Sequence, residues 1–268
     1  MKVDLLAFGA HPDDVELGCA GTIALSIAQG KSVVLIDLTQ GELGTRRSIE
    51  LRKEEATAAA SILGVQQREN LKFKDAFFVN DEAHQRHVIS KIRQYRPKIV
   101  LCNAITDRHI DHGKGNRLVN DSCFLSGLTK IETQDEKGTL QEPWRPSLVL
   151  EYIQWNEIQP EIILDISDHL ETKMKAVEAY SSQFFDPSSQ ESKTPISSKN
   201  FLESVRYRAQ NLGRLIGTEA GEGFTSKQPL SARNLADLIR SLCPDLLNGG
   251  LQASEHSPTH SSVIYHRQ

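Results

Sequence analysis

The stretch Val3-Asp4-Leu5-Leu6-Ala7-Phe8-Gly9-Ala10-His11-Pro12-Asp13-Asp14-Val15-Glu16-Leu17-Gly18 decides the fold. A strand-length apolar run ends abruptly in a loop that carries an imidazole and two consecutive carboxylates. Further apolar runs follow at 32–38, 98–103, 147–154 and 161–166. Several are continuous rather than alternating, which suits strands covered on both faces. Between and after them, helical spacing occurs at 21–29, 48–63, 81–95, 116–125, 168–184 and 200–216. Gly30 and Gly64 stand where glycine closes a helix, and Asp168-x-x-Glu171 has the form of a capping box. This alternation predicts an α/β, Rossmann-like, doubly wound and mostly parallel sheet with helices on both faces, occupying residues 1–225. In such sheets ligands bind outside the carboxyl ends of the strands, where the winding reverses.

Composition narrows the function classes. The 268 residues carry 31 basic and 35 acidic side chains, a net charge of −4, with 38% hydrophobic and 25% charged residues. These proportions fit a soluble globular chain and leave no basic footprint of the kind a nucleic-acid partner requires. No apolar stretch approaches the roughly 20 residues that span a bilayer. Cys19, Cys102, Cys123 and Cys243 are scattered without metal-ligand spacing, and the opening strand leaves no room for a secretory leader, so reduced thiols and a cytoplasmic location are expected. Residues 226–268 change character, with one short helix expected at 234–242 and then a polar tail. His256, His260 and His266 in that tail are assigned no role. The 126–146 stretch reads as an exposed loop, free to overhang a site.

The chemistry lies in two loops at strand ends. In the first, Asp13 and Asp14 either cap the following helix or serve a metal, and spacing alone leaves both readings open. The second, Thr106-Asp107-Arg108-His109-Ile110-Asp111-His112-Gly113, follows the 98–103 strand. A doubly wound order makes that strand a neighbour of the first and brings the loops together. His11, Asp14 and His112 then form the two-imidazole, one-carboxylate set of a catalytic zinc with an open position, and the spare carboxylate of Asp13 suits a general base. The same set could hold a ferrous ion. Cys19 reads as a buried thiol rather than a fourth ligand. His84 and His87 share a solvated helix face, and Trp144 and Trp155 read as packing or rim residues.

These loops, AHPDD at 10–14 and HxDH at 109–112, resemble the PIG-L/LmbE-like family of zinc-dependent N-deacetylases. The resemblance covers nearly all of residues 1–225 and lapses in the tail. The stretches 37–46, 50–56 and 181–184 are most similar to the branch that acts in bacillithiol biosynthesis. The resemblance implies that His11, Asp14 and His112 bind the metal and that Asp13 is the general base. It further implies that protonated His109 stabilises the oxyanion, that Asp111 orients His109, and that Asp75 bonds sugar hydroxyls. Ile110 departs from the pattern, standing where proline is common. The implied substrate is an N-acetylglucosamine conjugate, N-acetylglucosaminyl malate in that branch, whose two carboxylates would face Arg52 and Arg108, with Arg46 beside them. An amidase acting on thiol S-conjugates and a non-catalytic sugar- or nucleotide-binding module are the alternatives. The acidic loop without GxGxxG argues against a dinucleotide. Family likeness also implies a homo-oligomer, a trimer or hexamer.

Overall fold

β1 (Leu5–Gly9) is buried along its whole length because packed side chains cover both of its faces. In a computed structural model, which describes residues 1–46, 48–185 and 192–230, β1 pairs in parallel with β2 (Val33–Thr39) on one side and with β4 (Ile99–Cys102) on the other. β3 (Gln67–Phe73) continues the parallel sheet beyond β2, and β5 (Leu148–Tyr152) continues it beyond β4. β7 (Gly221–Thr225) runs antiparallel between β5 and β6 (Ile162–Asp165), giving the order β3-β2-β1-β4-β5-β7-β6. The α/β sheet expected from the sequence is present, with its winding reversal between β1 and β4.

Alternate residues of the strands feed two cores, which explains why the runs are continuous. Leu5, Ala7, Val33 and Leu35 pack with α1 (Asp14–Ala28), α2 (Ile49–Leu63), α5 (Leu170–Glu178) and α6 (Lys199–Ile216). Leu6, Phe8, Val34 and Ile36 pack with α3 (Glu82–Tyr95) and α4 (Ile110–Leu125). Gly64 closes α2 at φ 74°, and Gly30, also at φ 74°, follows α1, as their positions in the sequence suggest.

Several elements depart from expectation. β3 is a polar edge strand and β7 holds two glycines and a glutamate, so neither shows an apolar run. Close approach requires glycine where α6 meets the start of β7, since a Cβ on Gly213 would lie 2.5 Å from the Ala220 nitrogen. α1 and α4 begin about two turns earlier than their apolar spacing, because their first turns face a cleft rather than the core. Asp168 and Glu171 form no capping box: Ser167–His169 is a 3-10 turn, α5 starts without a side-chain cap, and Glu171 pairs with Arg206. The loop after α4 does not overhang the cavity that holds the two motif loops. Arg93 of α3 ties it down instead, donating to the carbonyls of Ser126, Leu128 and Ile131. Cys19, Cys102 and Cys123 are free and buried, and Cys243 and residues 231–268 lie outside the described residues. No described helix is long and apolar enough to cross a membrane.

α1 breaks at Cys19 (φ −148°, ψ 22°), and the break is stabilised from β7. The Glu222 carboxylate accepts the freed backbone N–H groups of Gly21 and Thr22 at 2.9 and 2.7 Å. Lys173 of α5 donates to the same carboxylate at 2.6 Å and to the Leu17 carbonyl at 2.9 Å. Removing one member of a buried pair strands the other. Glu222→Ala is therefore expected to lower unfolding free energy by about 3–5 kcal/mol in urea denaturation. A loss below about 1 kcal/mol, the size of an exposed pair, would contradict this role.

Candidate active site

The loop after β1 places three functional side chains within four residues. Asp14, the first residue of α1, is surrounded by donors: His11 N–H and Asn103 Nδ2 reach its Oδ2, each at 2.9 Å, and Gln154 Nε2 reaches its Oδ1 at 2.9 Å. Asn103 directly follows β4 and Gln154 lies two residues beyond β5, so the ends of three neighbouring strands fix one carboxylate. Asp13 takes the strained conformation φ 127°, ψ −20° and makes no cap hydrogen bond with its side chain. Its carboxylate accepts Arg52 Nη2 at 2.7 Å instead. Neither aspartate spends its carboxylate on capping α1.

The second loop meets the first across β1 and β4. His112 Nε2 lies 3.0 Å from Asp14 Oδ1, and His11 Nδ1 lies 3.6 Å from Asp14 Oδ2. The rings of His11 and His112 are 5.7 Å apart. Each imidazole is held from behind by a carboxylate, His11 Nε2 by Asp75 at 3.0 Å and His112 Nδ1 by Asp107. This leaves His11 Nδ1 and His112 Nε2 directed toward Asp14. The donor atoms of His11, His109 and His112 lie within 4.8 Å of one another, as do those of His11, Asp75 and Asp111. Imidazoles backed by carboxylates are the arrangement that fixes the tautomer of metal-binding histidines, and the donor chemistry fits one divalent ion.

Electrostatics separates the two adjacent aspartates. Burial pushes the Asp13 carboxyl up to about 7, against the opposing pull of Arg52. Burial acts on Asp14 in the same sense but is outweighed by the imidazoles of His112 and His11, which hold it well below the usual carboxylate range. His109 caps α4, and its Nδ1 accepts the Asp111 N–H at 3.3 Å, so any proton on the neutral ring sits at Nε2. Burial, with His11 and His112 nearby, lowers its pKa. The ring therefore presents Nε2–H as its donor.

Three further expectations need correction. The Asp111 carboxylate does not contact the His109 ring: it accepts the Ala76 N–H at 2.8 Å and lies 3.4 Å from His11 Nε2, and only its backbone N–H reaches His109. Arg46 donates to the main-chain carbonyls of Gln183 and Phe184 and does not line the cavity. Arg52 does line it, but directs Nε and Nη2 to the Pro12 carbonyl and Nη2 to Asp13. Asp75 is at the cavity wall with one oxygen on His11 and the other on the Leu43 N–H, while its own N–H donates to Glu42. Arg108 faces the cavity over the Trp155 ring, 4.7 Å from its centre. Trp155 is thus a rim residue, and Trp144 packs, donating to the Pro97 carbonyl. His84 and His87 pack edge-on against Phe73, away from the site. The site opens into a cavity of about 460 Å³.

Residues 6–123 match the sequence profile of the PIG-L family, described as GlcNAc-PI de-N-acetylase. The diacetylchitobiose deacetylase of Thermococcus kodakarensis is 30% identical over 190 residues, 67% of this chain and 70% of that protein. The chain belongs to the PIG-L de-N-acetylase family. Among solved structures, a conserved protein of Thermus thermophilus superposes with a TM-score of 0.76 at 31% identity, covering 86% of this chain and 97% of that one. The N,N'-diacetylchitobiose deacetylase of Pyrococcus horikoshii, solved with an inhibitor, gives 0.70 at 25% identity, covering 83% and 82%. In this PIG-L deacetylase, Asn103, Gln154 and the supporting role of Asp107 are what the sequence reading missed. Polar residues closing the apolar runs 98–103 and 147–154 were the available signal.

Proposed function

We propose that the chain is a divalent-metal hydrolase that removes the acetyl group from an N-acetylglucosamine conjugate, with N-acetylglucosaminyl malate as substrate. The observation that carries the reading is the convergence of His11 and His112 on Asp14, each backed by its own carboxylate, with Asp13 held separately by Arg52 in the same cavity. The family and the diacetylchitobiose relative support an N-acetylated sugar. Likeness of residues 37–46, 50–56 and 181–184 to the bacillithiol branch supports the malate conjugate, as does Arg108 at the cavity wall.

A zinc or ferrous ion held by His11, Asp14 and His112 would supply Lewis acidity toward a water and toward the acetamide carbonyl. Asp13 takes a proton from the water as its oxygen bonds to the carbonyl carbon, and returns that proton to the sugar nitrogen as the C–N bond breaks. Acetate and a free amine result. His109 Nε2–H donates to the carbonyl oxygen as charge gathers there, with its orientation set by the Asp111 N–H. Arg52 keeps Asp13 in place and offsets its burial.

Gln154→Ala removes a donor to Asp14 without removing a ligand, so affinity for added zinc is expected to fall about 10- to 100-fold. Metal titration checks this, and an unchanged affinity would remove Gln154 from the supporting shell. The substrate is tested by acetate release from N-acetylglucosaminyl malate, N-acetylglucosamine and diacetylchitobiose, beside amine release from a thiol S-conjugate. Preference for the malate conjugate is the expected result. Faster cleavage of the S-conjugate would overturn it in favour of the amidase.

A further inference from the structure

The cations assigned to the malate carboxylates are mostly committed elsewhere, Arg46 to main-chain carbonyls and Arg52 to Asp13 and Pro12. A cation not singled out in the sequence takes their place. α6 turns Phe201, Ser204, Val205 and Arg208 toward the cavity, and their spacing of three, four and seven residues puts them on one face. Arg208 is half-buried and donates through Nη2 to the Trp155 carbonyl at 3.1 Å. Trp155 stacks on Phe201, with ring centres 5.4 Å apart and planes 17° from parallel, and carries Arg108 over its ring. Two guanidinium groups therefore meet one residue, Arg108 at the Trp155 ring and Arg208 at its main-chain carbonyl.

Neither group has a carboxylate within ion-pair distance among the described residues. The nearby acids, Asp107 and then Glu157, act on Arg208 only at longer range, and Asp107 is bonded to His112 and to the Trp155 and Asn156 N–H groups. Burial works against the charge of Arg208. A half-buried cation without a directly bonded counterion gains from an anion brought by a ligand, and a guanidinium fork matches a carboxylate.

We infer that Arg208, at the main-chain carbonyl of Trp155, and Arg108, over its ring, form the anion-reading end of the cavity, with Arg208 a specificity residue for a substrate whose aglycone carries carboxylates. This rests on the deacetylase reading above. The test compares acetate release from N-acetylglucosaminyl malate, its dimethyl ester and the neutral methyl glycoside of N-acetylglucosamine. For Arg208→Gln, the ratio of kcat/KM on the malate conjugate to kcat/KM on the methyl glycoside is expected to fall roughly 10- to 100-fold, mainly through KM, the loss of one charge-assisted contact. Arg208→Lys should retain part of the preference. A merely structural role lowers both substrates alike and leaves the ratio unchanged, which would overturn the inference. The wild-type chain gives a test that does not depend on the variant folding: esterifying the malate should cost a similar factor, and equal turnover of acid and ester overturns the inference. Wild-type turnover of the methyl glycoside without preference for the malate conjugate also overturns it while leaving deacetylation standing. No acetate from any of these substrates overturns both readings.

Discussion

Asp13→Asn is expected to lower kcat by about 10²- to 10⁴-fold while leaving bound metal near one ion per chain, the range typical of losing a positioned general base. The substitution keeps the size of the side chain, and its amide oxygen can still accept from Arg52, where the carboxylate now sits at 2.7 Å. What it removes is the ability to take a proton from water and pass it to the departing nitrogen. Because Asp14, not Asp13, stands between the two imidazoles, metal content should not follow activity. KM should change little, since an interaction used only during bond rearrangement falls out of kcat and kcat/KM alike. Acetate release under saturating substrate, beside metal analysis of the same preparation, reads both quantities. Full activity, or loss of metal in parallel with activity, would remove Asp13 from the role of base.

His112→Ala is expected to fail differently, with metal and activity lost together. His112 is the member of the second loop that touches Asp14, and it reaches back to Asp107, which in turn anchors the N–H groups of Trp155 and Asn156. Without the imidazole, Asp14 retains His11, Asn103 and Gln154 but has no partner from the second loop. Bound metal should fall by more than about tenfold, and turnover by at least about 10³-fold, because a ligand lost weighs more than a supporting residue lost. The fold should persist, since the two cores on either side of the sheet contain none of these groups. Retention of one tightly held ion by this variant would mean that the metal is held by another set, such as His11, Asp75 and Asp111.

The fold and the meeting of the two loops were legible for one physical reason. Strands buried on both faces must be apolar throughout, so β1, β2 and β4 stand out, and the polar loops after them fall at the winding reversal. β3 and β7 escaped because an edge strand and a glycine-rich strand satisfy sheet pairing without an apolar run. Helix starts were placed late at α1 and α4 because their first turns serve the site rather than the core. At the site, residue types were readable but directions were not. Arg52 has the spacing of a solvated helix charge, yet its guanidinium turns inward to Asp13. Arg208 hides in what reads as an ordinary core-facing stripe of α6, and only the fold shows that this stripe faces a cavity. Asp111 has a motif position that suggests contact with His109, but helix geometry at the start of α4 turns its carboxylate to His11 and delivers only its N–H to the neighbouring ring.

The central claim is that His11, Asp14 and His112 hold one ion on which hydrolysis depends, and counted metal replacement tests it most directly. The chain is stripped with a chelator, its circular dichroism is checked, and zinc is returned in measured steps while acetate release from N-acetylglucosaminyl malate is followed. The account predicts a folded, inactive apo-protein whose activity returns linearly and saturates at about one equivalent of zinc per chain. Undiminished acetate release by the metal-free chain would contradict it.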